Sequence, residues 1–180
     1  MTRNTDDRQL AGLGRGMWLL FWAALLGFTT FLFQGVIDDM VNPNRNLAQL
    51  TGPGGVAEVV LARNAKGHYV ADGRINGYPV TFLLDTGATD VALSEGLADR
   101  LRLERMGGAL SQTANGLVAV WQARLDSVQL GAIDLRDVRA SIVPSMGMDS
   151  HVLLGMSFLK KLEMVQRDGH LTLRQRPGSN

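Results

Sequence analysis

The sequence predicts an all-β domain of modest size behind a single N-terminal transmembrane helix. Three observations carry that expectation. From Val56 onward, short apolar runs of strand length alternate with turn residues. Three dipeptides of hairpin type, Asn76-Gly77, Asn115-Gly116 and Asp168-Gly169, fall between such runs. Residues 17–33, MWLLFWAALLGFTTFLF, contain no ionisable side chain.

Residues 17–37 come first. About 20 apolar residues at 1.5 Å each cross a hydrocarbon layer of roughly 30 Å. Trp18 and Trp22 lie toward the N-terminal end, where indoles suit the interface, and Asp38 and Asp39 close the apolar stretch. The apolar region of a signal peptide is shorter, about 7 to 15 residues, and no small-residue cleavage pattern follows here, so an uncleaved anchor is expected. Arg3, Arg8 and Arg15 precede it and only Arg45 follows closely, which assigns residues 1–16 to the cytoplasm and the remainder to the extracytosolic side. In a bacterium that is the periplasmic side of the inner membrane. Residues 38–55 are polar and rich in Gly and Pro, and read as a tether. Their Gly52-Pro53-Gly54-Gly55 run lacks the Lys-Ser/Thr of a phosphate loop.

The domain is expected over residues 56–176, with 177–180 as a tail. Strand candidates are 56–63 and 68–75, joined across Asn64-Ala65-Lys66-Gly67, and 79–84 after the Asn76-Gly77 turn. Further candidates are 109–114 and 117–125 around Asn115-Gly116, then 133–143 ended by Pro144, then 162–166 and 170–174 around Asp168-Gly169. Two short helices are expected, one capped by Ser94 and one following Gly155. No repeat of 20 to 50 residues is present, which argues against a solenoid or propeller.

Composition narrows the functional classes. With 18 basic and 17 acidic residues the net charge is +1, without the clustered basic footprint of a nucleic-acid binder. The chain has no cysteine, which excludes disulfides and thiolate metal sites. At 180 residues it is too short for two large lobes facing each other across a cleft.

The informative stretch is Val80-Thr81-Phe82-Leu83-Leu84-Asp85-Thr86-Gly87-Ala88-Thr89, an apolar strand that delivers Asp85 to a Thr-Gly turn. Its plain alternative is an Asx-type turn that happens to spell Asp-Thr-Gly. Downstream stands a buried-strand pattern, Val152-Leu153-Leu154-Gly155, followed by Met156-Ser157-Phe158-Leu159. In that order and spacing, with the Asn115-Gly116 hairpin between, these motifs resemble the membrane-anchored, single-lobe retropepsin-like aspartic proteases of bacteria. The resemblance covers the anchor and residues 56–174. It implies a retropepsin-like barrel in which Asp85 is catalytic, with Thr86, Gly87, Ala88 and Thr89 shaping its loop. Leu153, Leu154 and Gly155 would support that loop. The hairpin tip, Ala114, Asn115 and Gly116, takes the place of the flap, although it lacks the glycine-rich flap of the viral enzymes.

The chemistry needs two carboxylates. Side by side they cannot both ionise and share one proton; the aspartic-protease dyad is the standard illustration of this coupling. One then takes a proton from the attacking water while the other protonates the carbonyl oxygen. Only one Asp-Thr-Gly occurs and no Asp-Ser-Gly, so a complete dyad requires a homodimer with Asp85 from each chain. Thr86 is implied to bond across to the opposing loop and Thr89 to bond back to Asp85. Peptide or protein substrates, and no cofactor or metal, follow from the same resemblance. The alternative is a non-catalytic, membrane-tethered peptide-binding or oligomerisation domain of the same fold. His68, His151 and His170 are isolated and form no metal motif. Asp90 reads as a turn residue or the partner of an arginine rather than a further acid. Trp121 lines the cleft or packs in the core.

Overall fold

A computed structural model describes residues 6–48, 50–52, 55–113, 116–147 and 151–175. The chain divides into two compact units between Asp39 and Met40.

In the first unit the chain is helical: α1 (Asp6–Val41) starts before the apolar stretch and ends after it. Charged residues do not stop a helix as Pro does. Pro43 keeps the residue before it out of the α region, and the helix ends at Val41. Gly16–Phe33 is long and apolar enough to cross a membrane, and its side chains are exposed. By length and composition this helix fits a membrane anchor, and a signal sequence has the same properties. The hydroxyls of Thr29 and Thr30 donate to the carbonyls of Leu25 and Leu26, so neither is left unpaired in an apolar surrounding.

The second unit is built from strands β1 (Leu50–Thr51), β2 (Ala57–Ala62), β3 (Val70–Ile75), β4 (Tyr78–Leu84) and β5 (Val91–Ser94). Helix α2 (Glu95–Arg100) precedes β6 (Gly108–Thr113), β7 (Gly116–Leu130), β8 (Ile133–Val143) and β9 (Val152–Leu154). Helix α3 (Met156–Leu159), β10 (Leu162–Arg167) and β11 (His170–Gln175) complete it. The order β3-β4-β9-β5-β8-β7 closes on itself through Arg74↔Gln129 and Ile75↔Val128, giving a six-stranded barrel, with β6 extending from β7. A smaller sheet has the order β1-β2-β11-β10. Val59, Leu61 and Leu173 of the small sheet share one core with Phe82, Leu125, Ile142 and Phe158. The all-β barrel with short helices expected from the sequence is the fold observed.

Two hairpins form where the dipeptides place them. Asn76-Gly77 and Asp168-Gly169 adopt positive φ at both positions and close Ile75↔Tyr78 and Arg167↔His170. At the third, Gly116 is already paired with Thr113, at φ 106, and so belongs to β7.

The connection 64–67 is not a hairpin, because β2 and β3 belong to different sheets. The Asn64 side chain shapes it, accepting from the amides of Lys66 and His68 and donating to the Val41 carbonyl. Part of the stretch expected as a tether is also fixed in place. Asn44, 5% exposed, accepts from the Ala62 amide at 2.7 Å and donates to the carbonyls of Ala62 and Val70 at 2.9 and 2.7 Å. Asn42 donates to Asp72, which also receives the Thr81 hydroxyl. Buried amides of this kind persist only with their bonding groups satisfied.

Candidate active site

The site begins where β4 runs out. Asp85 follows Leu84 directly, and Asp85 to Ala88 make a β-turn closed by the Ala88 amide on the Asp85 carbonyl at 3.3 Å. The Gly87 amide donates to Asp85 Oδ1 at 2.8 Å, which fixes the carboxylate on its own turn. Asp85 is half-buried, while Thr86 and Gly87 are exposed.

Strand β9 lies between the two limbs of this loop. It runs parallel to β4, with Leu83↔Leu153 and Leu84↔Leu154, and antiparallel to β5 at Ala92↔Leu153. The Asp85 amide donates to the Leu154 carbonyl at 3.2 Å. Past β9 the chain pins the far limb: the Met156 amide donates to the Ala88 carbonyl at 2.8 Å and the Ser157 amide to the Thr89 carbonyl at 2.9 Å. Gly155 sits in the closest approach. A Cβ there would stand 2.2 Å from the Asp90 carbonyl oxygen and 2.7 Å from that of Ala88, so only glycine fits.

Leu153, Leu154 and Gly155 are thus brought together with the loop of residues 85–89. Thr89 is exposed and makes no hydrogen bond to Asp85 among the described residues; its carbonyl, not its hydroxyl, is engaged. The hydrogen bond that Asp85 Oδ1 accepts comes from the Gly87 amide. Asp90 pairs with Arg139 at 3.1 Å, the ion pair expected for it. Trp121 is 42% exposed and lies outside the core. Ala114 and Asn115 fall outside the described residues, and Gly116 opens β7.

Ser157 is the residue that sequence reasoning missed. Its hydroxyl accepts from the Val91 amide at 3.0 Å and donates to the Arg139 carbonyl at 2.8 Å, joining α3 to the exit of the loop and to β8. It is 4% exposed. A serine in a short apolar segment is the only signal, and it does not specify partners so distant in the chain.

Beside Asp85 a cleft of about 370 Å³ opens between the loop, Leu159 of α3, and the β10–β11 hairpin, with Met164 and Gln166 on its wall. Among the described residues no three His, Asp or Glu side chains gather as a metal site.

The half-buried Asp85 carboxylate thus sits on a tight Thr-Gly turn, braced by a hydrophobic-hydrophobic-Gly strand inside a closed barrel. Residues 71–161 match the model of the gag-polyprotein putative aspartyl protease family, and the chain belongs to that family. The fold is similar to the crystal structure of a retropepsin-like aspartic protease from Rickettsia conorii, with a TM-score of 0.53 and 28% identity over 67% of this chain and 91% of that one. An uncharacterized Sinorhizobium protein from the cobV 5′ region is 33% identical over 83% of this chain. An uncharacterized protein of Rickettsia prowazekii is 28% identical over 66% of it. The chain spans 63% and 51% of the lengths of these two relatives.

Proposed function

We propose that this chain is a membrane-anchored aspartic-type endopeptidase whose active site is assembled from two copies, each supplying Asp85. The observation that carries the reading is the seating of that carboxylate: at the open end of a braced turn, oriented by the Gly87 amide, with one such turn per chain. Two of these carboxylates facing each other share a proton, so one acts as base toward water and the other as acid toward the scissile carbonyl. In this reading Thr86, which is exposed, bonds to the opposing loop, and Gly87 leaves room for its backbone to approach.

Substrate enters as an extended strand, bonding through its main chain beneath the β6–β7 hairpin, with residues 114–116 at the flap tip. Residues 17–37 serve as the anchor, with the N-terminus cytoplasmic and the protease domain extracytosolic. Two anchored chains meet more readily than two free ones, because confinement raises their effective concentration.

The test is Asp85→Asn in the full chain. Peptide cleavage with an acidic optimum should vanish in the variant while its circular dichroism and its dimer remain. Cleavage that survives the substitution, in enzyme purified free of the wild type, contradicts the proposal. So does a wild-type chain that binds peptides tightly yet cleaves none between pH 3 and 7.

A further inference from the structure

The connection between β2 and β3 bonds to the last residues of α1. Its Ala65 amide donates to the Met40 carbonyl at 3.2 Å, and its Asn64 side chain donates to the Val41 carbonyl at 3.0 Å. The turn between β10 and β11 adjoins it, through the Arg63 amide on the Gly169 carbonyl at 3.0 Å. Arg63 and residues 65–68 are exposed, as are residues 167–170. These two connections carry three cations, Arg63, Lys66 and Arg167, against one acid, Asp168. None of the three cations has an ion-pair partner among the described residues. The Arg63 guanidinium lies over the Tyr69 ring, 5.6 Å from its centroid, which orients it without covering it.

We infer that these two connections form a phospholipid-contact face, on which Arg63, Lys66 and Arg167 bond to headgroup phosphates. The inference rests on the membrane anchor proposed above. Ile37 ends the apolar stretch and Met40 follows three residues on, about 5 Å away along a helix and at most about 11 Å in extended chain. The headgroup layer is about 5 to 8 Å thick on each side of a bilayer. Chain reach alone therefore brings the connection bonded to Met40 to the headgroups, at any tilt of the helix. A slack tether over residues 38–55 would span up to about 60 Å and would impose no such contact. Guanidinium and ammonium groups make short, charge-assisted bonds to phosphate oxygens, and their long stems let them reach into the layer. Asp38 and Asp39 precede the connection in sequence, and with Asp168 they balance the three cations. Balanced charge of this kind fits a zwitterionic headgroup, which presents an amine beside its phosphate. The face also leads into the site: Tyr69 follows His68, and Gln166 and Leu171 flank the turn, all three lining the Asp85 cleft. A lipid contact here holds that cleft at the membrane surface.

Lysine is scarce enough to make the test selective, since the chain has only Lys66, Lys160 and Lys161. The full chain, isotope-labelled at its lysine side-chain nitrogens, is reconstituted into phosphatidylcholine bilayers in phosphate-free buffer. Solid-state NMR then reads the dephasing of each ammonium signal by lipid phosphorus. An ammonium bonded to a phosphate oxygen at about 2.8 Å stands within about 4.5 Å of the phosphorus, close enough to be dephased. One lysine signal is expected to be dephased, and Lys66→Gln is expected to abolish the effect. The hydrogen bond that Lys66 makes within the fold is through its amide, to Asn64, so the variant keeps it. A chain that stays in the membrane through alkaline extraction but shows no dephased lysine overturns the face and leaves the anchor standing. Dephasing that persists in Lys66→Gln overturns it as well, because it then arises at Lys160 or Lys161. A chain released by alkaline extraction removes the anchor, and the face with it.

Discussion

Gly155 and Ser157 do for the Asp85 loop what no residue of the loop does for itself. Gly155→Ala forces a Cβ into the Asp90 and Ala88 carbonyls, and should cost about 1–3 kcal/mol in urea unfolding through overpacking. A variant as stable as wild type would mean that β9 can draw back from the loop. Ser157→Ala leaves the Val91 amide and the Arg139 carbonyl without their partner, and should cost about 1–3 kcal/mol by the same measurement. At this scale, what was legible was local. Asp85-Thr86-Gly87 and Leu153-Leu154-Gly155 are short patterns whose backbone needs are written in adjacent residues. The partners of Ser157 lie far off in the chain, and the identity of a serine does not encode which distant amide it will meet. Thr89 shows the converse: its hydroxyl was expected at the carboxylate, while among the described residues the bond to Asp85 Oδ1 comes from the Gly87 amide.

Among the elements, hairpins were the most readable, because the Asn-Gly and Asp-Gly turns impose their own φ values. The three-residue β9 was readable only through its Leu-Leu-Gly pattern, and β5 and the two-residue β1 were not anticipated. Strands this short have too few residues to show alternation. The run of Pro and Gly after α1 read as a tether because turn chemistry looks the same whether a segment is loose or seated. Within residues 38–55, Asn44 bonds to main-chain groups of β2 and of β3 and so joins strands from two sheets. Asn44→Ala strands the Ala62 amide and two carbonyls, and should lower unfolding free energy by about 2 kcal/mol or more. Equilibrium denaturation of a chain lacking residues 1–39 would read this without the apolar helix. A change below about 0.5 kcal/mol, the range of ordinary surface substitutions, would show that water replaces the side chain at no cost.

For the whole molecule, two features meet in one account: an apolar helix long enough to cross a membrane, and a protease-type barrel with a single Asp-Thr-Gly. If residues 17–37 are an anchor, the chain should stay with membranes through alkaline extraction, and removal of residues 1–39 should release it. A cleaved, soluble product from the full chain would identify a signal sequence instead. The central claim is that catalysis requires Asp85 from two chains at once. The most direct measurement is peptide cleavage by mixtures of wild-type and Asp85→Asn chains that have been allowed to exchange partners. If each site needs both carboxylates, activity falls as the square of the wild-type fraction, leaving about one quarter in an equal mixture. A linear decline, with about one half remaining, would mean that each chain works alone and would contradict the account.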